Sequence, residues 1–135
     1  MSREVKFMMD VARRVAQESR DYKVKVGCVI AKDNNILAYG YNGTPSGYDN
    51  TMRDNQGKTL PTVIHAEQNA LAKLAKSTQS GAGAILYCTL LPCTTCAMSL
   101  IQAGVSKIYY AESYRDTGAL AMFDALGITL IQEEN

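Results

Sequence analysis

The sequence lacks several features that would place it in a particular class of protein. No apolar run approaches the ~20 residues that a transmembrane helix needs, so we expect no membrane span. The N-terminal Met-Ser-Arg-Glu-Val-Lys leads into a helical pattern without an apolar segment of the secretory type, so we expect no signal peptide. The single histidine excludes any site that needs two imidazoles from one chain.

The sequence also lacks an excess of charge of either sign. Its 14 lysines and arginines face 13 aspartates and glutamates, a balance that argues against a general nucleic-acid binder. Four cysteines in a chain of 135 residues favour free thiols or metal ligands over a disulfide framework. The length fits one domain over residues 1–135, and we expect a cytoplasmic protein.

Hydrophobic periodicity and turn residues predict alternating helices and strands. A hairpin with its turn near Asn34 and Asn35 precedes the alternation, so we expect the order α-β-β-α-β-α-β-α-β and a mixed sheet covered on both faces. The predicted helices lie at 3–19, 64–76, 97–103 and 117–126, and the predicted strands at 24–31, 36–41, 84–90, 107–111 and 128–132.

Two short motifs contain residues that bind metals, and each stands at the start of a predicted helix. One is His65-Ala66-Glu67 and the other is Pro92-Cys93-Thr94-Thr95-Cys96. The Cys-x-x-Cys spacing places two thiols one helical turn apart, where the helix N-terminus favours thiolates. One imidazole and two thiolates would leave the fourth position of a tetrahedral zinc open to water, which is typical of catalytic zinc sites.

Glu67 stands two residues after His65, so it can lie beside a metal without binding it and can transfer protons there. Other interpretations of these residues exist. A Cys-x-x-Cys pair also occurs in redox proteins, and a glutamate in the first turn of a helix also complements the helix dipole. Cys28 and Cys88 lie within apolar strand patterns, so we expect them to be buried core residues.

Together these motifs resemble the cytidine/deoxycytidylate deaminase superfamily, most closely its deoxycytidylate branch. The pattern H-x-E followed by P-C-x-x-C is the signature of zinc-dependent deaminases. The Gly-Tyr-Asn-Gly-Thr-Pro-Ser-Gly loop at 40–47 and the His-Ala-Glu-Gln-Asn-Ala segment at 65–70 point to that branch. Ser-Arg-Asp at 19–21 and Val-Gly-Cys-Val-Ile at 26–30 extend the resemblance over nearly the whole chain.

The resemblance implies a three-layer α/β/α fold around a central mixed five-stranded sheet. It implies one catalytic zinc per chain on His65, Cys93 and Cys96, with Glu67 as the proton shuttle. The implied reaction is attack of an activated water on C4 of the cytosine ring of dCMP, which releases ammonia and gives dUMP, the precursor of dTMP.

The resemblance also suggests which residues contact a nucleotide. Asn42 and Ala66 are expected to contact the substrate, although Asn42 beside Gly43 could instead occupy a left-handed turn position.

A monophosphate needs basic donors. The candidates are Arg20, Lys23 and Lys25 before the first strand, and Arg115 with Tyr114 after the fourth. All of them could equally be solvent-exposed. We favour Tyr114 and Arg115, because ligands of α/β sheets commonly lie at strand ends.

Regulation is implied by the resemblance alone. Related enzymes are homohexamers that dCTP activates and dTTP inhibits, with magnesium on the triphosphate. The glycine-rich loop is the candidate effector site, because glycines let backbone N–H groups approach phosphates. The expected effector contacts are Gly40, Asn42, Gly43 and Gly47.

Two rival functions remain compatible with the same motifs. A deaminase that acts on bases in nucleic acids would share the fold, although the near-neutral charge speaks against it. A non-catalytic zinc-binding interaction module would keep the ligands but would not need Glu67.

Overall fold

The structure, a computed structural model, describes residues 2–113 and 118–133. The described residues follow the predicted order of elements, and none of their helices is long and apolar enough to cross a membrane. The helices are α1 (Arg3–Ala16), α2 (Ala66–Ala75), α3 (Thr94–Gln102) and α4 (Gly118–Ala125). The strands are β1 (Gly27–Lys32), β2 (Asn35–Tyr41), β3 (Ile85–Leu90), β4 (Lys107–Glu112) and β5 (Thr129–Gln132).

The described strands form one mixed sheet in the order β2-β1-β3-β4-β5. β1 pairs antiparallel with both β2 and β3, whereas β3-β4 and β4-β5 are parallel pairs. The parallel pairs are joined through α3 and α4, as crossover connections require. α3 begins shortly after β3 ends, so the carboxyl end of β3 leads into the Cys-x-x-Cys segment.

Helices cover both faces of the sheet, which confirms the predicted three-layer α/β/α fold. Alternate residues of β1 point to opposite faces, as the pleat of a strand requires. Val29 and Ala31 pack with α1 on one face. Cys28 and Ile30 pack with residues of α2, α3 and α4 on the other.

Among the predicted boundaries that were wrong, two near the start of the chain have a reason that the structure shows. β1 begins at Gly27 rather than at 24, because the Asn42 side chain binds the carbonyl of Val24 and the amide of Val26. α1 ends at Ala16 rather than at 19, because residues 17–19 continue as tight turns with hydrogen bonds to the third residue before.

Gly40 allows α2 to pack directly against β2. A Cβ atom at this position would lie 2.3 Å from the carbonyl oxygen of Ala66 and 2.5 Å from the amide nitrogen of Ala70. Both neighbours are backbone atoms of the helix, so neither can rotate away. The absence of a side chain at Gly40 therefore fixes how closely the first turns of α2 approach the sheet.

We predict that Gly40→Ala lowers the free energy of unfolding by about 1–3 kcal/mol, because the added methyl group overpacks the β2–α2 contact. Gly43→Ala is the matched control, since its Cβ would meet nothing closer than a Tyr41 ring carbon at 3.9 Å. The control should stay within about 0.5 kcal/mol of the parent. Urea denaturation followed by circular dichroism measures both, and equal stabilities for the two variants would contradict the packing argument.

Candidate active site

His65, Cys93 and Cys96 form a cluster of three potential metal ligands. Their ligand atoms all lie within 4.8 Å of one another. The Nδ1 atom of His65 lies 3.2 Å from the Sγ atom of Cys96 and 3.6 Å from that of Cys93. The structure thus brings together three residues that the sequence separates by up to 31 positions.

The cluster forms where the N-termini of two helices meet. His65 is the N-cap residue of α2 and Cys93 is the N-cap residue of α3, while Cys96 is the third residue of α3. α3 begins three residues earlier than predicted, which places Cys93 at the cap. The partial positive charge of both helix N-termini is directed at the cluster and stabilises thiolates there.

The donor set of the cluster fits zinc. A tetrahedral zinc with bonds of about 2.0–2.3 Å to nitrogen and sulfur separates its ligand atoms by about 3.3–3.8 Å, near the distances observed here. All four cysteines are free thiols, so neither sulfur of the cluster is committed to a disulfide. Burial raises the pKa of the Cys96 thiol, a cost that a bound cation would offset.

Glu67 is a buried carboxylate next to the cluster. It is the second residue of α2 and only 4% exposed. Burial raises the pKa of Glu67 to about 7. A carboxyl group with a pKa near neutrality is suited to both accepting and donating a proton.

A cavity of about 150 Å³ opens beside these residues. His65, Glu67 and Cys93 lie on its wall, together with Ala66 in the first turn of α2. The rest of the wall combines five apolar residues with four polar or charged ones. These further lining residues are Asp21, Val24, Val26, Asn42, Arg53, Thr59, Val63, Leu90 and Leu91.

Asn42 lines this cavity, but its amide already has protein partners. Its Oδ1 atom accepts a hydrogen bond from the amide of Val26, and its Nδ2 atom donates to the carbonyl of Val24, both at 2.9 Å. Its own carbonyl accepts a hydrogen bond from the hydroxyl of Ser19. Asn42 therefore anchors the segment before β1, and its expected contact with a substrate stays a prediction.

Asp21 and Arg53 form a buried ion pair at the cavity wall that the sequence analysis missed. Arg53 donates from Nε to Oδ1 at 2.7 Å and from Nη2 to Oδ2 at 2.8 Å, and the two side chains are only 9% and 3% exposed. Burial alone would raise the pKa of Asp21, but hydrogen bonds from Arg53 and from the amide of Lys23 outweigh it and lower that pKa. Removing one partner of such a pair typically costs about 3–5 kcal/mol.

The predicted phosphate contacts are not assembled at the cavity. Arg20, Lys23 and Lys25 are exposed and do not line it. Tyr114 and Arg115 lie outside the described residues. Arg53 is the arginine among the described lining residues.

The three glycines proposed as effector contacts differ in their surroundings. Gly40 packs against α2, so the structure explains this glycine by helix packing. Gly43 exchanges two backbone hydrogen bonds with Ile64, at 3.0 and 2.8 Å, and so its amide already has an acceptor. Gly47, with φ of +84° and open space around it, is the one of the three whose backbone is free to approach a ligand.

Cys28 and Cys88 lie in the core, as expected. They are directly opposite one another on β1 and β3, and neither is exposed to solvent. Burial raises the pKa of Cys28, and the contact with Cys28 together with burial raises that of Cys88. Both therefore remain protonated thiols beneath the cluster.

The chain has clear relatives among characterised proteins. Residues 2–112 match the family model for the cytidine and deoxycytidylate deaminase zinc-binding region. The deoxycytidylate deaminase of Schizosaccharomyces pombe is 36% identical over 93% of this chain, and the human one is 34% identical over 91%. The chain spans 42% of the length of the S. pombe protein and 75% of the human one.

A solved structure extends the similarity to the whole fold. The crystal structure of dCMP deaminase from the cyanophage S-TIM5, in complex with dCMP and dUMP, has a TM-score of 0.92 and 42% sequence identity to this chain. The match covers 100% of this chain and 99% of the cyanophage chain. The resemblance inferred from the motifs is thereby confirmed: the chain belongs to the cytidine and deoxycytidylate deaminase family.

Proposed function

We propose that the chain is a zinc-dependent aminohydrolase that converts dCMP and water to dUMP and ammonia, with one catalytic domain over residues 1–135. The observation that carries this proposal is the buried carboxyl group of Glu67, which lines the same cavity as His65 and Cys93 of the three-residue cluster. The cyanophage relative, which shares the fold over its full length, is described in complex with dCMP and dUMP.

In this proposal His65, Cys93 and Cys96 hold the zinc ion. The chemistry that the ion supplies when bound is Lewis acidity toward a water molecule, which becomes a nucleophile near neutral pH. The protein contributes two helix N-termini that stabilise the thiolates and a cavity beside the reacting groups.

Glu67 carries the protons in this proposal. Hydrolysis at C4 moves one proton of the attacking water to N3 of the ring, and the second proton, from the hydroxyl group then on C4, to the departing amino group, which leaves as ammonia. A single carboxyl group can carry out both transfers if it accepts and returns a proton twice. Its burial keeps it out of exchange with bulk water, and its position in the first turn of α2 holds it beside the cluster.

The apolar part of the cavity suits the flat faces of a pyrimidine. The apolar side chains that line the cavity together with His65, Glu67 and Cys93 include Val24, Val63, Leu90 and Leu91. A pocket of about 150 Å³ is of the size of one base.

A substrate panel tests the function. We expect the zinc-loaded protein to release ammonia from dCMP, with a loss of cytosine absorbance. Turnover should be slower with deoxycytidine, with dCTP and with cytosine in a single-stranded oligonucleotide. Faster turnover of the oligonucleotide would instead identify a nucleic-acid deaminase, and turnover of none of them in zinc-loaded protein would favour a binding module.

Replacing Glu67 by glutamine should leave the zinc content at one per chain and lower kcat for dCMP by about 10²–10⁴, because the amide cannot shuttle a proton. Cys93→Ser is the comparison variant and should lose both zinc and activity, because it removes a ligand of the cluster. Elemental analysis and initial rates measure both effects. Turnover of Glu67→Gln close to that of the parent would remove Glu67 from the mechanism.

We further propose that the enzyme is a homohexamer regulated by dCTP as activator and dTTP as inhibitor, with magnesium on the triphosphate. Family resemblance supports this proposal, and the open loop at Gly47 offers a place for it. Because Gly40 is packed against α2 and the amide of Gly43 is paired, Gly47 is the glycine of this loop that we propose as the effector contact.

The regulation is checked by measuring dCMP turnover with and without dCTP or dTTP in the presence of magnesium. We expect dCTP to lower, and dTTP to raise, the substrate concentration for half-maximal rate. Light scattering should give the mass of six chains. Rates that neither nucleotide changes, at saturating magnesium, would exclude the regulation while leaving the catalytic proposal intact.

A further inference from the structure

The outer wall of the cavity is built from two segments that are far apart in the sequence. One is the connection at 20–25 between α1 and β1. The other is a small hairpin at 52–60, closed by hydrogen bonds from the amide of Leu60 to the carbonyl of Met52 and from the amide of Asp54 to the carbonyl of Lys58. Asp21 and Val24 line the cavity from the connection, and Arg53 and Thr59 line it from the hairpin.

Arg53 joins these two segments. Its fork donates to both carboxylate oxygens of Asp21, and its Nη1 atom donates to the carbonyl of Gly57 at 2.8 Å. One guanidinium therefore both closes the hairpin on itself and ties it to the connection. Its Cζ atom also lies 5.9 Å from the ring centre of Tyr22, within the range of a cation–π contact.

Further hydrogen bonds join the ion pair to other residues that line the cavity. Asp21 also accepts a hydrogen bond from the amide of Lys23 at 2.9 Å and a longer one from the Nδ2 atom of Asn42 at 3.5 Å. Asn42 in turn holds the backbone of Val24 and Val26, which line the same cavity. Displacing Arg53 would thus loosen the wall on both sides of the opening.

The ion pair is unsuited to bond-making chemistry. Asp21 is engaged by Arg53 and by backbone and amide donors, and its pairing keeps it ionised. The guanidinium of Arg53 is not deprotonated near neutral pH, so it cannot act as a base. These contacts are explained if the Asp21–Arg53 pair holds the cavity wall in place, and they are not explained if the pair transfers protons.

We propose that Arg53 is a positioning residue that, through its paired contact with Asp21, holds the 52–60 hairpin against the 20–25 connection and thereby fixes the outer wall of the cavity. Arg53 acts on substrate binding and leaves the chemical step to Glu67 and the metal cluster. The identity of the substrate in this inference rests on the proposed function, whereas the structural contact does not.

Arg53→Met tests this role, with Arg53→Lys as the conservative variant. Arg14→Met is the matched control, because Arg14 forms an exposed ion pair with Glu18 away from the cavity. Hydrogen–deuterium exchange of the ligand-free protein measures how well the backbone amides of the two wall segments are protected. Steady-state kinetics with dCMP gives KM and kcat. We expect Arg53→Met to speed exchange at 20–26 and 52–60 by at least about tenfold and to raise KM about ten- to a hundredfold, with kcat within about threefold.

Arg53→Lys should give intermediate values, and Arg14→Met should match the parent in both measurements. If Arg53→Met fails to fold, the double variant Asp21→Asn/Arg53→Met leaves no unpaired buried charge and takes its place with the same expectations. Unchanged exchange at 20–26 and 52–60 would overturn the proposal. A higher KM with unchanged amide exchange would also overturn the proposal and would identify Arg53 as a direct substrate contact. A fall in kcat with unchanged KM would overturn it as well, because it would place Arg53 in the chemical step.

The kinetic and exchange measurements separate this inference from the proposed function. If the zinc-loaded parent does not turn over dCMP, the proposed function fails, and the exchange result alone decides whether Arg53 holds the wall. If the parent does turn over dCMP and the exchange of Arg53→Met is unchanged, the inference fails and the proposed function stands.

Discussion

The close packing of α2 on β2 is the constraint on which the rest of the site depends. Because Gly40 carries no side chain, the first turn of α2 lies directly on the strand. Two contacts fix the same junction, one from the Nδ2 atom of Asn69 to the carbonyl of Tyr41 and one between Gly43 and Ile64. His65 is the N-cap of α2 and Glu67 lies in its first turn, so these contacts also place the imidazole and the carboxyl group.

The two halves of the cavity are held by different forces. Near the metal cluster, the helices pack through small apolar residues such as Ala70 and Ala97, both fully buried. At the opening, the wall consists of irregular segments that bury few apolar side chains and are fixed instead by hydrogen bonds around Asn42 and Asp21. Apolar packing therefore positions the helices that carry the proposed catalytic residues, whereas hydrogen bonds position the segments that form the wall of the cavity.

The parts of the site that could be predicted from sequence are those with local patterns. Cys93 and Cys96 are three residues apart, so their spacing predicts that they share a helix face. His65 and Glu67 are found instead by the H-x-E pattern, in which the two side chains stand two residues apart. Arg53 could not be found in this way, because its partner lies 32 residues away and nothing in either segment marks the pairing. The start of β1 was missed for a related reason. The side chain of Asn42, the residue after β2, makes the hydrogen bonds to Val24 and Val26 that a neighbouring strand would otherwise make.

The position of the ligands at two helix starts has a consequence for folding. His65 comes before α2 and Cys93 comes before α3, with all of β3 between them. Any ion held by both is a cross-link between distant stretches of the chain, and it binds the folded state in preference to the unfolded one. Metal occupancy and thermal stability are therefore linked quantities in this protein, and the cellular supply of the metal bears on how much of the chain is folded as well as on how fast it works.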